Sequence, residues 1–116
     1  MSESQDTFST SIDPTDYEPF IVEGAHTGDV HWLRNEGEAG VQTGVWRVLP
    51  GQPPDGEVSE FVFHRDETIH VLEGRVEIEM DGDRLELRAG DVASFRRGAH
   101  TRWRVHAPFR EFFVYS

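Results

Sequence analysis

Two alternating runs meet at Asp81-Gly82, and this hairpin constrains the fold more than any other feature of the chain. Val76, Ile78 and Met80 alternate with Arg75, Glu77 and Glu79; beyond the dipeptide, Leu85 and Leu87 alternate with Arg84, Glu86 and Arg88. A period of two places one set of side chains on each face of a strand. Asp-Gly supplies the positive φ angles that a two-residue hairpin turn needs. Such a turn sets Glu79 opposite Arg84 and Ile78 opposite Leu85, with Glu77 facing Glu86. Diagonal contacts to Arg88 and Arg84 relieve that last pair.

Similar short runs fill the chain from Val41 onward. Strands are predicted near 43–49, 58–64, 67–73, 75–80, 84–88, 91–95, 101–106 and 109–115. Gly51, Gly56, Gly74, Gly82, Gly90 and Gly98 punctuate them as corners. No segment holds a helical period over three turns. The fold class is therefore all-β: a small closed barrel or double-sheet jelly roll. The first thirty residues carry seven acidic residues and no basic one. Residues 1–16, rich in Ser, Thr and Asp, are read as a disordered acidic arm, and residues 17–116 as a single β-barrel domain. Tyr17, Phe20, Ile21 and Val22 are apolar enough to dock against the barrel or a second subunit.

Composition excludes several kinds of chemistry. The 116 residues amount to one domain, with 22 acidic and 11 basic side chains and a net charge of −11. That field repels nucleic acid and anionic membrane surfaces. Without Cys there is no thiolate nucleophile, disulfide or Cys-bound zinc. All the basic residues other than His are Arg, so Schiff-base chemistry and a phosphate-loop lysine are excluded. Neither a bilayer-length apolar run nor a signal-peptide pattern is present, which makes a cytoplasmic location the expectation.

Residues 66–74 read DETIHVLEG and are followed by RVEI; residues 90–98 read GDVASFRRG. Together with GVWRVLPG at 44–51 and TRWRVHAPFREFFV at 101–114, these blocks resemble the cupin superfamily. The resemblance is to the short single-domain cupins grouped with ureidoglycine aminohydrolase and the ethanolamine-utilisation cupins, and it covers about residues 41–116. It implies a small double-stranded β-helix, the jelly-roll cupin barrel, which commonly dimerises. For function it implies little, because the barrel hosts many unrelated activities.

Catalytic members of the superfamily hold a divalent ion with two His, one Glu and a third His. Carried onto this chain, the resemblance puts Glu67 at the carboxylate position, Phe61 and Phe63 at the paired His positions, and Thr101 at the last His position. Phe offers no ligand atom, so no metal cofactor is expected. An alternative stays open. His64 and His100 each lie one residue away from a ligand position, and two β-bulges would bring His64, Glu67 and His100 together as a two-His, one-carboxylate metal set. Simple alternation points both His outward.

By alternation Trp46, Phe61, Phe63, Glu67, Ile69, Val71, Thr101 and Trp103 face the barrel interior. Ile69 and Val71 read as packing, whereas the aromatics also suit an organic ligand. Glu67 among aromatic rings is the candidate general base or substrate anchor, with a perturbed pKa. His70 is expected on the outer face, and His106 as a structural residue. Arg102 and Arg104 are expected to pair with an acidic outer face formed by residues such as Glu77, Glu79 or Glu111. The run FREFFVYS needs cover, which a homodimer would supply. The leading expectation is a cupin that binds a small molecule beside Glu67. The alternatives are a metal-dependent hydrolase, isomerase or lyase acting on a small polar metabolite, and a ligand-sensing module that acts through a protein partner.

Overall fold

The computed structural model describes residues 6–116. Eight strands run in chain order: β1 (Glu18–Val22), β2 (Ala25–Asn35), β3 (Gln42–Val48), β4 (Val58–Val62), β5 (Glu67–Met80), β6 (Asp83–Arg88), β7 (Val92–Phe95) and β8 (His100–Tyr115). All the strand pairs are antiparallel. The hairpin register is the one the two-residue turn requires: Glu79 pairs with Arg84, Ile78 with Leu85 and Glu77 with Glu86.

The long strands β5 and β8 run side by side and belong to two sheets at once. Their outer halves, Glu67–Val71 and Glu111–Tyr115, join β1, β2, β3 and β7. Their other halves, Arg75–Glu79 and Arg102–His106, join β4 and β6. Two sheets that share bent strands enclose a single core, as in a jelly roll. Val48, Phe63, Ile69, Val71, Val76, Ile78 and Phe109 are each exposed by no more than 1% and form its centre.

The sequence divided each of these long strands in two, at Gly74 and at Pro108. The structure instead carries both strands through the corner. The β5–β8 register shifts between Val71 and Glu73 and again between Glu73 and Arg75, which is a bulge that bends the pair. Gly74 sits in that bulge at φ +80°, and a Cβ there would lie 2.2 Å from the carbonyl oxygen of Pro108. Gly74→Ala therefore combines a left-handed backbone with a steric clash, and should cost about 2–5 kcal/mol in a denaturant titration. An unchanged midpoint would mean that the corner does not need this close approach.

β1 and β2 are additional to the strands expected. Their sequences, EPFIV and AHTGDVHWLRN, mix polar and apolar residues without clean alternation, because each face of β2 meets something different. Val30 faces the core, while the opposite face carries the N-terminal stretch. Part of the stretch read as a disordered arm, residues 1–5, lies outside the described residues. Residues 6–16 form no helix or strand and run over the outer face of β2 and β8, and Tyr17, under the Arg47 guanidinium, continues the cover over β3. Thr10 Oγ1 lies 2.7 Å from His31 Nε2, and His31 Nδ1 lies 2.8 Å from the carbonyl oxygen of Asp16. Arg110 donates to the carbonyl of Ile12 at 2.9 Å. Val45, on β3, is only 1% exposed yet stands outside the main core cluster, as expected of a residue covered by this segment.

On the outer face of the second sheet, Glu77 gathers the neighbouring cations. It meets His106 Nε2 at 2.6 Å, pairs with Arg84, and has Arg75 at 3.8 Å. Hydrogen bonds from His106 and Arg84 hold its carboxyl down at about 2. His106 thus acts structurally, and the Glu77–Glu86 pairing is relieved by Arg84 and Arg75. Among the described residues no helix is long and apolar enough to cross a membrane.

Candidate ligand-binding site

Between the two sheets the barrel holds a half-open cavity of about 210 Å³. Alternation along β5 and β8 decides what points into it. On β5, Glu67, Ile69 and Val71 are buried while Thr68 and His70 are exposed. On β8, Phe109, Glu111 and Phe113 are buried in the same phase, with Tyr115 following. The register sets Glu67 beside Tyr115, Ile69 beside Phe113 and Val71 beside Glu111. Glu67 and Glu111 thus share one inner wall, each 4% exposed, and both line the cavity together with Tyr115.

The facing wall is aromatic. Phe61 on β4 and Trp103 on β8 meet edge to face at 6.5 Å, and Trp46 on β3 closes one side. Trp46 is fixed by its indole N–H, which donates to the carbonyl of Thr27 at 2.8 Å, and by an edge contact with Phe109. The exposed residues Glu57 and Glu60 stand at the mouth, beside Phe20 and Val22 of β1, with the Glu60 carboxylate turned outward to Arg102 at 3.5 Å. The lining contains four Glu residues and no Arg, Lys or His.

Burial governs the electrostatics. It pushes the Glu67 carboxyl up to about 8. Glu111 is also raised well above the usual carboxylate range, first by burial and then by the charge of Glu67. The Tyr115 hydroxyl is raised by burial and by both carboxyls. One oxygen of Glu111, Oε1, is buried with no hydrogen-bond partner. A buried polar atom without a partner is costly, and proteins keep few of them. Arg65 does not pair with either carboxyl. It lies 5.8 Å over the Tyr115 ring and donates to Gln42 Oε1 and the carbonyl of Gly40.

The structure brings four of the sequence candidates together: Trp46, Phe61, Glu67 and Trp103 line the cavity. Phe63, Ile69 and Thr101 share their alternation but lie outside the lining. Phe63 is consumed by packing, stacked on Phe95 at 4.8 Å, and Ile69 is fully buried between Ala93 and Phe113. Thr101 is a brace: its hydroxyl donates to the carbonyl of Phe61 at 2.7 Å and accepts the indole N–H of Trp103 at 2.8 Å. Glu111 was assigned to the outer face and is in fact inside. Its phase with Phe109 and Phe113 was legible, but its charge argued for solvent.

The possible metal set does not assemble. His100 pairs with Val62 in the outward phase, while Thr101 pairs with Phe61 in the inward one. His64 and His100 are both exposed, with neither bulge that would turn them inward. Among the described residues no three His, Asp or Glu side chains are grouped to hold a metal ion. The residues at the family's ligand positions do not fit a metal.

A family model for the EutQ-like cupin domain matches residues 35–113. No curated protein matches the chain. Among solved structures, a putative ethanolamine utilization protein Q from Salmonella typhimurium superposes with a TM-score of 0.65 at 21% identity, over 84% of this chain and 76% of that one. The EutQ protein of Clostridium difficile gives 0.59 at 18% identity, over 75% of this chain; the match spans 65% of that protein. A DUF861 family protein from Thermotoga maritima gives 0.51 at 26% identity, over 60% and 73% of the two chains. Likenesses at these identities speak for the fold.

Proposed function

The chain belongs to the EutQ-like cupin family, and from that premise we propose that it is a small-molecule-binding cupin whose ligand enters the barrel beside Glu67. One observation carries the reading: a 210 Å³ cavity between the sheets, walled by aromatic rings, keeps two buried carboxyls on its inner wall. Ligand sites are typically apolar hollows with a few convergent polar groups. A core evolved for stability alone would fill this volume with side chains, as the rest of the barrel interior does.

Glu67 is the substrate anchor in this account, and it also has the properties of a general base. With its carboxyl pushed up to about 8, it exchanges a proton near neutral pH, where acid–base groups work best. No metal-dependent step is built on this site, because Phe61, Phe63 and Thr101 stand where the ligand residues would be.

Ligand-observed NMR with a mixed fragment library tests the reading. Binding fragments should perturb the Trp46 and Trp103 indole signals. Glu67→Gln should leave the fold intact, as judged by the amide spectrum, and abolish that binding. Fragments that bind the variant equally well, or that leave both indoles untouched, would show that the site is elsewhere.

A further inference from the structure

The buried acids specify the kind of molecule the cavity takes. Resting on the proposed pocket, we infer that its ligand is an organic monocation: an ammonium group on a small apolar or aromatic body, its charge met by Glu67 and Glu111 and its body lying against Trp46, Phe61 and Trp103.

Three observations converge on this. The first is the sign of the lining: Glu57 stands at the mouth, Glu67 and Glu111 inside, and no cationic side chain is among the lining residues, the Glu60 carboxylate being turned outward onto Arg102. An anionic ligand would face three acids with no cation among them, and a neutral one would leave the two inner acids as they are. The second is Glu111 itself, 4% exposed, lining the cavity, with Oε1 buried and unpartnered. With the Glu111 side chain turned towards the cavity it lines, an ammonium N–H supplies the missing donor, and its charge offsets the cost of ionising a buried carboxyl. The third is the aromatic wall. Ring faces attract cations, most strongly where water is excluded. An inorganic ion would find too few oxygen ligands and would have to shed its water against apolar walls.

Size narrows the class. An apolar cavity of about 150 Å³ takes up benzene. The 210 Å³ here accommodates one such ring with a short ammonium arm.

Charge-dependent binding follows from the groups that face the site. These are Glu67 from β5, Glu111 and Tyr115 from β8 and Glu57 from the segment before β4, with Arg65 beyond Tyr115 and the Glu60–Arg102 pair on the rim. Below pH 8 Glu67 holds a proton that a bound cation must displace. Affinity for a cation should therefore rise with pH, by up to about tenfold per unit between pH 6 and 8 where one proton is released.

The experiment is calorimetric titration of the full chain with benzylammonium, benzyl alcohol and benzoate, three probes of one shape and different charge. The expected result is benzylammonium binding at least tenfold more tightly than benzyl alcohol at pH 8, more weakly at pH 6, and no benzoate binding. Glu111→Gln should lose most of the preference for the cation. Equal or tighter binding of benzyl alcohol or benzoate, with the indoles of Trp46 and Trp103 perturbed, would overturn the charge assignment and leave the pocket standing. Failure of all three probes to perturb those indoles would overturn both.

Discussion

Glu111→Met is expected to unfold at a higher temperature than the parent chain while losing its affinity for a cationic ligand. Glu111 is 4% exposed, its Oε1 has no partner, and its carboxyl is held in the neutral form by burial and by Glu67. An unsatisfied buried polar group costs about 1–3 kcal/mol, and an unbranched apolar chain of similar length recovers that cost. The gain corresponds to several degrees of melting temperature for a domain of this size. Binding sites commonly sacrifice stability in this way, and the sacrifice is the mark of function. Thermal denaturation at neutral pH, with benzylammonium titration alongside, checks both halves. A variant that melts lower would show that Glu111 is a satisfied structural residue and that the cavity has no use for its charge.

Stability should fall as the solution is made more basic between pH 4.5 and 8. The direction follows from Glu67, whose carboxyl rises from 4.5 in the unfolded chain to about 8 in the fold. In that window the folded chain keeps a proton that the unfolded chain releases. The contribution is complete below pH 4.5 and is lost as pH climbs through about 8. Each retained proton corresponds to a slope of at most about 1.4 kcal/mol per pH unit, and Glu111, raised in the same direction by burial, adds to the decline. Glu77 acts in the opposite sense, but lower down. Its depressed carboxyl contributes above pH 4.5, and that contribution is lost as pH falls towards 2. Denaturant titrations at pH 5, 6.5 and 8 should show the decline, and Glu67→Gln should reduce it, leaving the part that buried Glu111 contributes. A parent protein equally stable at pH 5 and pH 8 would mean that Glu67 is solvated or paired.

The central hairpin, the all-β class and the family were legible because period-two patterning and turn chemistry are local. Asp81-Gly82 sets its own register whatever surrounds it. Glu67 was legible as an inward acid from its phase with Ile69 and Val71. What stayed hidden depended on the far side of the chain. β2 has no clean alternation because the N-terminal stretch covers one face and the core the other. The merging of strands at Gly74 and Pro108 is a tertiary corner, where two breaker residues are used to bend strands without ending them. Glu111 was misplaced because charge usually predicts exposure, and that rule fails where a cavity needs an acid. Phe63 and Ile69 have the right phase but sit too deep, since alternation gives the face of a strand and not the distance to empty space.

The most direct test of the account is a carboxyl 13C NMR titration of Glu67 and Glu111, assigned through Glu67→Gln and Glu111→Gln, with and without saturating benzylammonium. Glu67 should titrate near pH 8 in the free protein and several tenths of a unit or more lower in the complex. Ordinary titration of both acids near 4.5, or a Glu67 midpoint that the cation leaves unmoved, would contradict it.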